Sequence, residues 1–172
     1  HGADVEKKFL YRLNQELEAR GMLDCLRHGI NDYGKKFILA YFKPVSKLNP
    51  ETEKLYDKNI LTVTRQVHYS IKDESSIDMV LSVNGLPVAT IELKNPFTNQ
   101  DAEDAKQQYK YDRDERELLF QFKKRALVHF AMDTDVIYMT TRLQGSKTRY
   151  LPFNKGYSKG AGNPPNPSGH KT

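Results

Sequence analysis

Asp78, Glu92 and Lys94 are the residues whose types and spacing can do chemistry. They fall within the run Ile77 to Lys94, IDMVLSVNGLPVATIELK. Two carboxylates presented by adjacent strands make a site for a hard divalent cation, which takes a few carboxylate or carbonyl oxygens and keeps several waters. Asp78 and Glu92 would be ligands, joined by the backbone carbonyl of Leu93. Lys94, two residues on along the same face, would orient or help deprotonate an attacking water and offset charge as a phosphate becomes pentacovalent. The set fits metal-assisted phosphodiester hydrolysis.

An E-x-K triplet alone means little, and Glu6-Lys7-Lys8 also matches it, on an expected helix. Taken by themselves, Glu92 and Lys94 read as an exposed cross-strand ion pair. Register changes the weight. Asn84-Gly85 between two alternating runs signals a hairpin. Ile77, Met79, Leu81 and Val83 share one face of the first strand, and Ala89, Ile91 and Leu93 share one face of the second. For both apolar faces to line one core, odd residues must sit opposite odd ones. A two-residue loop would pair Val83 with Leu86 and break that rule, so the alternation predicts a three-residue loop or a bulge at Gly85. The other face then carries Asp78, Val80 and Ser82 beside Val88, Thr90, Glu92 and Lys94, which gathers two carboxylates and a lysine.

The elements around this hairpin are readable to different degrees. Residues 4–20 have apolar positions at helical spacing, with Asp4 as N-cap and Gly21 to end the helix. Residues 23–47 are ambiguous, because the run Phe37 to Phe42 is apolar on all sides. Asn49-Pro50 starts a helix that runs to about Asn59. Residues 61–69 suggest a strand. After Pro96, Asn99 or Thr98 caps a helix from about Gln100 to Arg113, on which Gln107 and Tyr111 face the same way. Residues 118–124 read as helical, and 126–132 and 136–141 as two strands. From Tyr150 onward Gly, Pro, Asn and Lys dominate, which describes a linker.

The 172 residues suit one domain with a tail. Their formal charge of +5 invites a nucleic-acid reading, but Arg142 to Thr172 hold six basic residues and no acidic one, leaving 21 basic against 22 acidic in residues 1–141. The body is therefore close to neutral and the tail basic. No run approaches the roughly 20 apolar residues of a membrane span. The start lacks a secretory pattern and Cys25 is the lone cysteine, so a cytoplasmic setting is expected.

The stretch from LTVTRQVHYS through the hairpin to KNPFTNQDAEDAKQQYKY, and on to LPFNKGYSKGAGNPPNP, resembles the N-terminal nuclease domain of the restriction (R) subunit of type I restriction–modification enzymes. That domain is part of the PD-(D/E)xK nuclease superfamily, and the resemblance implies an α/β, restriction-endonuclease-like fold with a mixed central sheet flanked by helices. The motif maps onto Asp78 and onto Glu92 with Lys94. Ile77 stands where the motif's proline would be, a departure common in the superfamily. Gln107 and Tyr111 match the family's Q-x-x-x-Y motif, implying a role in arranging the site or holding DNA phosphate; the plainer reading is that Tyr111 packs the helix on the sheet while Gln107 is solvated. First-helix acidic residues join the site in some relatives, which makes Glu16 and Glu18 candidates for a further carboxylate.

The resemblance implies Mg2+-dependent cutting of double-stranded DNA without sequence specificity of its own, with Mn2+ as a substitute cation. It also implies modification and specificity subunits as partners, and ATP-driven translocation by motor domains. No G-x-x-x-x-G-K-[ST] loop occurs here, so ATP belongs to the full-length subunit. With no initiator Met and a linker-like end, the chain reads as a fragment: a nuclease domain over residues 1–150 and a basic Gly/Pro-rich linker over 151–172. His68 and His129 lack ligand-like spacing and read as structural or DNA-facing rather than zinc ligands. A catalytically silent DNA clamp or a subunit-assembly module are the alternatives.

Overall fold

The computed structural model describes residues 2–46, 48–160 and 163–165. Its elements in chain order are α1 (Gly2–Arg20), α2 (Met22–His28), β1 (Ile30–Asp32), β2 (Lys35–Phe37), α3 (Pro50–Tyr56), β3 (Leu61–His68), β4 (Ser76–Val83), β5 (Leu86–Leu93), α4 (Ala102–Tyr111), β6 (Val128–Met132), β7 (Ile137–Thr140) and β8 (Leu151–Pro152). Strands β3 to β8 form one six-stranded sheet in sequence order, antiparallel throughout except for the parallel pair β5–β6. A parallel pair needs a crossover, and α4 is the helix of that crossover. The fold is mixed α/β with helices flanking a mixed sheet.

The β4–β5 hairpin turns on Asn84 and Gly85, both at positive φ (51° and 82°), the backbone that an Asn-Gly turn adopts without strain. Val83 does pair with Leu86, so the loop has two residues. The shift that restores odd-to-odd pairing lies farther along: Ser82 pairs with Pro87 but Leu81 pairs with Ala89, so Val88 is the extra residue. Beyond it Val80 pairs with Thr90 and Met79 with Ile91. The expected bulge therefore sits inside β5 rather than at Gly85, because the turn already has its preferred geometry. The side chain of Asn84 fixes the turn externally, accepting from Ile60 N–H (2.7 Å) and donating to the Leu39 carbonyl (2.8 Å).

Helix α4 is capped by Asp101, the residue just before it, rather than by Asn99 or Thr98. Asp101 accepts from the N–H groups of Glu103 and Asp104, and Asp104 reaches back to the Asp101 N–H at 2.9 Å, a capping box. The Ala102 N–H donates to Asp133 in the β6–β7 turn at 3.0 Å, which ties the helix start to the sheet. Ala105 and Tyr109 of α4 pack with Ile77 and Val80 of β4, Ala131 of β6, Phe120 and Leu143 as one buried cluster. Residues 118–124 form successive turns rather than a helix. They drop Phe120 into that cluster, and Lys123, at φ 68°, breaks any helical run.

A second cluster joins Leu17, Met22, Cys25, Leu26 and Ile30 to Leu86, Val88 and Leu127 at the entry ends of β5 and β6. Cys25 is buried there and unbridged. Gly21 is required at the α1–α2 joint: φ is 86°, and an added Cβ would lie 2.8 Å from the Lys123 carbonyl oxygen. Helix α1 begins before Asp4, which pairs with Lys8 in its first turn instead of capping it. The ambiguous segment resolves into α2 and the small β1–β2 hairpin, and only Phe37 of the apolar run is in a strand. The segment assigned to the linker begins on the sheet. Leu151 and Pro152 pair with β7, and Asn154 accepts from the Ile137 N–H at 2.6 Å. Residues 161, 162 and 166–172 of that linker lie outside the described residues.

Candidate active site

Asp78 and Glu92 meet at the exit end of β5, where the parallel strand pair also ends. Ligand sites of open α/β sheets lie at the carboxyl ends of their parallel strands. Asp78 is held by both oxygens. Its Oδ2 accepts from the Leu93 N–H (2.8 Å), and its Oδ1 accepts from Gln66 Nε2 (3.1 Å) on β3. Glu92 is fully buried, and its Oε1 accepts from Arg113 Nε at 2.6 Å, just past the end of α4. Arg113 is itself only 9% exposed. Burial pushes the Glu92 carboxyl up to about 7; Arg113 opposes that rise, and the neighbouring charge of Asp78 adds to it.

The second oxygen, Glu92 Oε2, is buried without a hydrogen-bond partner. Such a group loses its water and gains nothing in return. The Tyr150 hydroxyl is also buried and unpartnered, and its titration is pushed upward by burial and by the charge of Glu92. An orphaned carboxylate oxygen beside a second carboxylate is the donor set that a hard divalent cation satisfies. Among the described residues no group of three or more His, Cys, Asp or Glu side chains converges. A cation here would take few protein ligands, as Mg2+ usually does. Lys94 is half-buried, and its N–H donates to the Met132 carbonyl at 2.9 Å, prolonging the β5–β6 pairing. Its ammonium has no ion pair with a described residue.

Behind the carboxylates, the site is supported by a buried polar chain. Thr90 Oγ1 lies 2.8 Å from the Tyr109 hydroxyl and 2.7 Å from His129 Nδ1, and all three residues are buried. This chain fixes the face of α4 against β5 and β6. Tyr109→Phe keeps the ring but leaves the network one partner short, so urea unfolding is expected to show a loss of about 1–2 kcal/mol. An unchanged midpoint would mean that the bond adds nothing. His129 is thus structural, and burial pushes it down to about 4. His68 is exposed at the end of β3, 3.6 Å from Glu74.

Other candidates lie elsewhere. Gln107 is exposed and Tyr111 is 68% exposed, on the outward side of α4. They do face the same way, but Tyr111 does not pack the helix on the sheet; Tyr109 fills that place, because the helix phase turns 102, 105 and 109 inward. Glu16 and Glu18 are engaged by cations. Glu16 pairs with Arg12 and with Arg20 (2.8 Å), and Glu18 pairs with Arg125 (3.1 Å) and Lys124. Neither is grouped with Asp78 and Glu92, so no first-helix carboxylate joins this site.

Two residues at the site escaped the sequence reading, Arg113 and Gln66. Arg113 carries no periodic signal, although a buried glutamate demands a cation and an arginine just past the covering helix is a natural source. Gln66 follows from register: extending the β3–β4 pairing puts it opposite Asp78.

Comparison with known proteins adds one finding. The model of the family described as "Type I restriction enzyme R protein N terminus" matches residues 30–148, from β1 through β7. No curated protein and no solved structure matched. Among the described residues no helix is long and apolar enough to cross a membrane.

Proposed function

Because the chain belongs to the family of type I restriction enzyme R protein N-terminal domains, we propose that it is the DNA-cutting domain of such a subunit, hydrolysing phosphodiester bonds of double-stranded DNA with Mg2+. The observation that carries this reading is Glu92 Oε2, buried and unpartnered beside Asp78. Asp78, Glu92 and the Leu93 carbonyl would hold the cation, whose chemistry is to polarise a phosphate oxygen and acidify a bound water. Asp78 is kept in place by Gln66 and the Leu93 N–H, and Glu92 by Arg113. Lys94, free of ion pairs among the described residues, orients the attacking water and balances charge on the phosphate.

The domain carries no target specificity in this reading. Target choice falls to specificity and modification subunits, and ATP-driven delivery of DNA to motor domains of the full subunit. The exposed Arg142, Lys147, Arg149, Lys155 and Lys159 supply phosphate contacts beside a nearly neutral body. Supercoiled plasmid provides the test. Nicking and linearisation in Mg2+ or Mn2+ are expected, with loss in excess EDTA and recovery when the cation is restored. Metal-independent retention of plasmid without cutting would favour the silent clamp. Neither cutting nor retention would favour an assembly module.

A further inference from the structure

We infer that Gln66 is a positioning residue, held in a strained backbone so that its amide fixes the carboxylate of Asp78 against Glu92; this rests on the nuclease reading above. Gln66 lies within β3, yet its φ is 49°, a conformation that non-glycine residues rarely adopt and that strand neighbours do not require. The antiparallel ladder between β3 and β4 is continuous from Leu61↔Val83 to His68↔Ser76 except at one step, Gln66 opposite Asp78. The irregularity thus coincides with the candidate metal ligand. What the distortion gains is visible in the side chain: Gln66 Nε2 donates to Asp78 Oδ1 at 3.1 Å, while the Ser76 hydroxyl donates to Gln66 Oε1 at 3.4 Å and orients the amide.

Without this hold Asp78 would have reason to leave. It shares this corner of the sheet with Glu92, whose Oε2 is buried without a hydrogen-bond partner, and two carboxylates so placed disfavour one another. Gln66 and the Leu93 N–H hold Asp78 beside Glu92, where a bound cation would offset their mutual repulsion. Partners that orient a metal ligand in this way commonly change affinity about 10- to 100-fold when removed. Gln66 is exposed, so replacing it opens no cavity.

Gln66→Gly separates a positioning role from a packing role, because glycine relieves the positive φ while removing the amide. On the 172-residue chain, Mn2+ binding measured by calorimetry is expected to weaken at least about tenfold, with a melting temperature unchanged or raised by up to about 4 °C. Gln66→Asn, which tolerates the same backbone but is one methylene shorter, should lose affinity in the same way. Wild-type Mn2+ affinity in both variants, or a fall in melting temperature for Gln66→Gly, overturns the inference. Asp78→Asn is the control. If it abolishes Mn2+ binding while Gln66→Gly and Gln66→Asn keep wild-type affinity, the positioning role alone fails; if the wild-type chain binds no Mn2+, the site reading fails and takes this inference with it.

Discussion

Lys94→Ala is expected to slow Mg2+-dependent plasmid cleavage by about 10²–10⁴-fold, the usual worth of a positioned acid or base, while Mn2+ binding and melting temperature stay near wild type. The asymmetry follows from what Lys94 touches. Its backbone continues the β5–β6 pairing through Met132, whereas its ammonium has no ion pair with a described residue. Truncation therefore leaves no buried partner stranded, and the loss falls on the reaction. Asp78→Asn should behave differently. It removes the charge of a cation ligand and turns one of the two oxygens that accept from Gln66 and the Leu93 N–H into a donor, so cleavage and Mn2+ binding should fall together. Parallel time courses and binding isotherms on the two variants make the comparison. Equal cleavage by Lys94→Ala and wild type would remove Lys94 from the chemistry. Loss of Mn2+ binding in Lys94→Ala would make it a structural support of the carboxylates instead.

How far this site was legible depends on the range of the information required. Asn84-Gly85 and the flanking alternation are local signals, and they sufficed to bring Asp78 and Glu92 to one end of β5. The placement of the bulge at Val88 was not local: it depends on β5 pairing on both sides, with β4 and β6. The helix over 102–111 is visible in the sequence, but Asn99 and Thr98 are equally plausible caps there, because the Asp133 anchor that selects Asp101 becomes evident only when the β6–β7 turn is adjacent. Residues 118–124 carried a helical pattern that tertiary packing overrode, since one side chain, Phe120, had to reach the core. Arg113 was invisible for the opposite reason. It stands 21 residues from Glu92 and contributes a charge that makes sense only once that carboxylate is known to be buried.

The pH dependence of stability offers a test in which two buried groups work against each other. Glu92 releases its proton at about 7 in the fold against an ordinary 4.5. Between those values the folded chain holds more protons than the unfolded one, so raising the pH favours unfolding, by about 3 kcal/mol in total. His129 is the mirror case, taking a proton only near 4 in the fold against an ordinary 6.5. There the unfolded chain holds more protons, so acidification favours unfolding by a similar amount. Across pH 4.5–6.5 the two slopes oppose and largely cancel. Glu92→Gln retains an acceptor for Arg113 but cannot titrate, which unmasks His129. Urea midpoints of the variant should fall on acidification below 6.5 more steeply than those of wild type. Relative to wild type, the variant should gain about 3 kcal/mol between pH 5 and pH 8. Parallel curves for the two proteins would mean that Glu92 is not held protonated by its burial. Added Mg2+ distinguishes the origin of the effect. Protons and cation compete for the same carboxylate, so Mg2+ should stabilise wild type at pH 8, much less at pH 5, and leave Glu92→Gln unmoved at either.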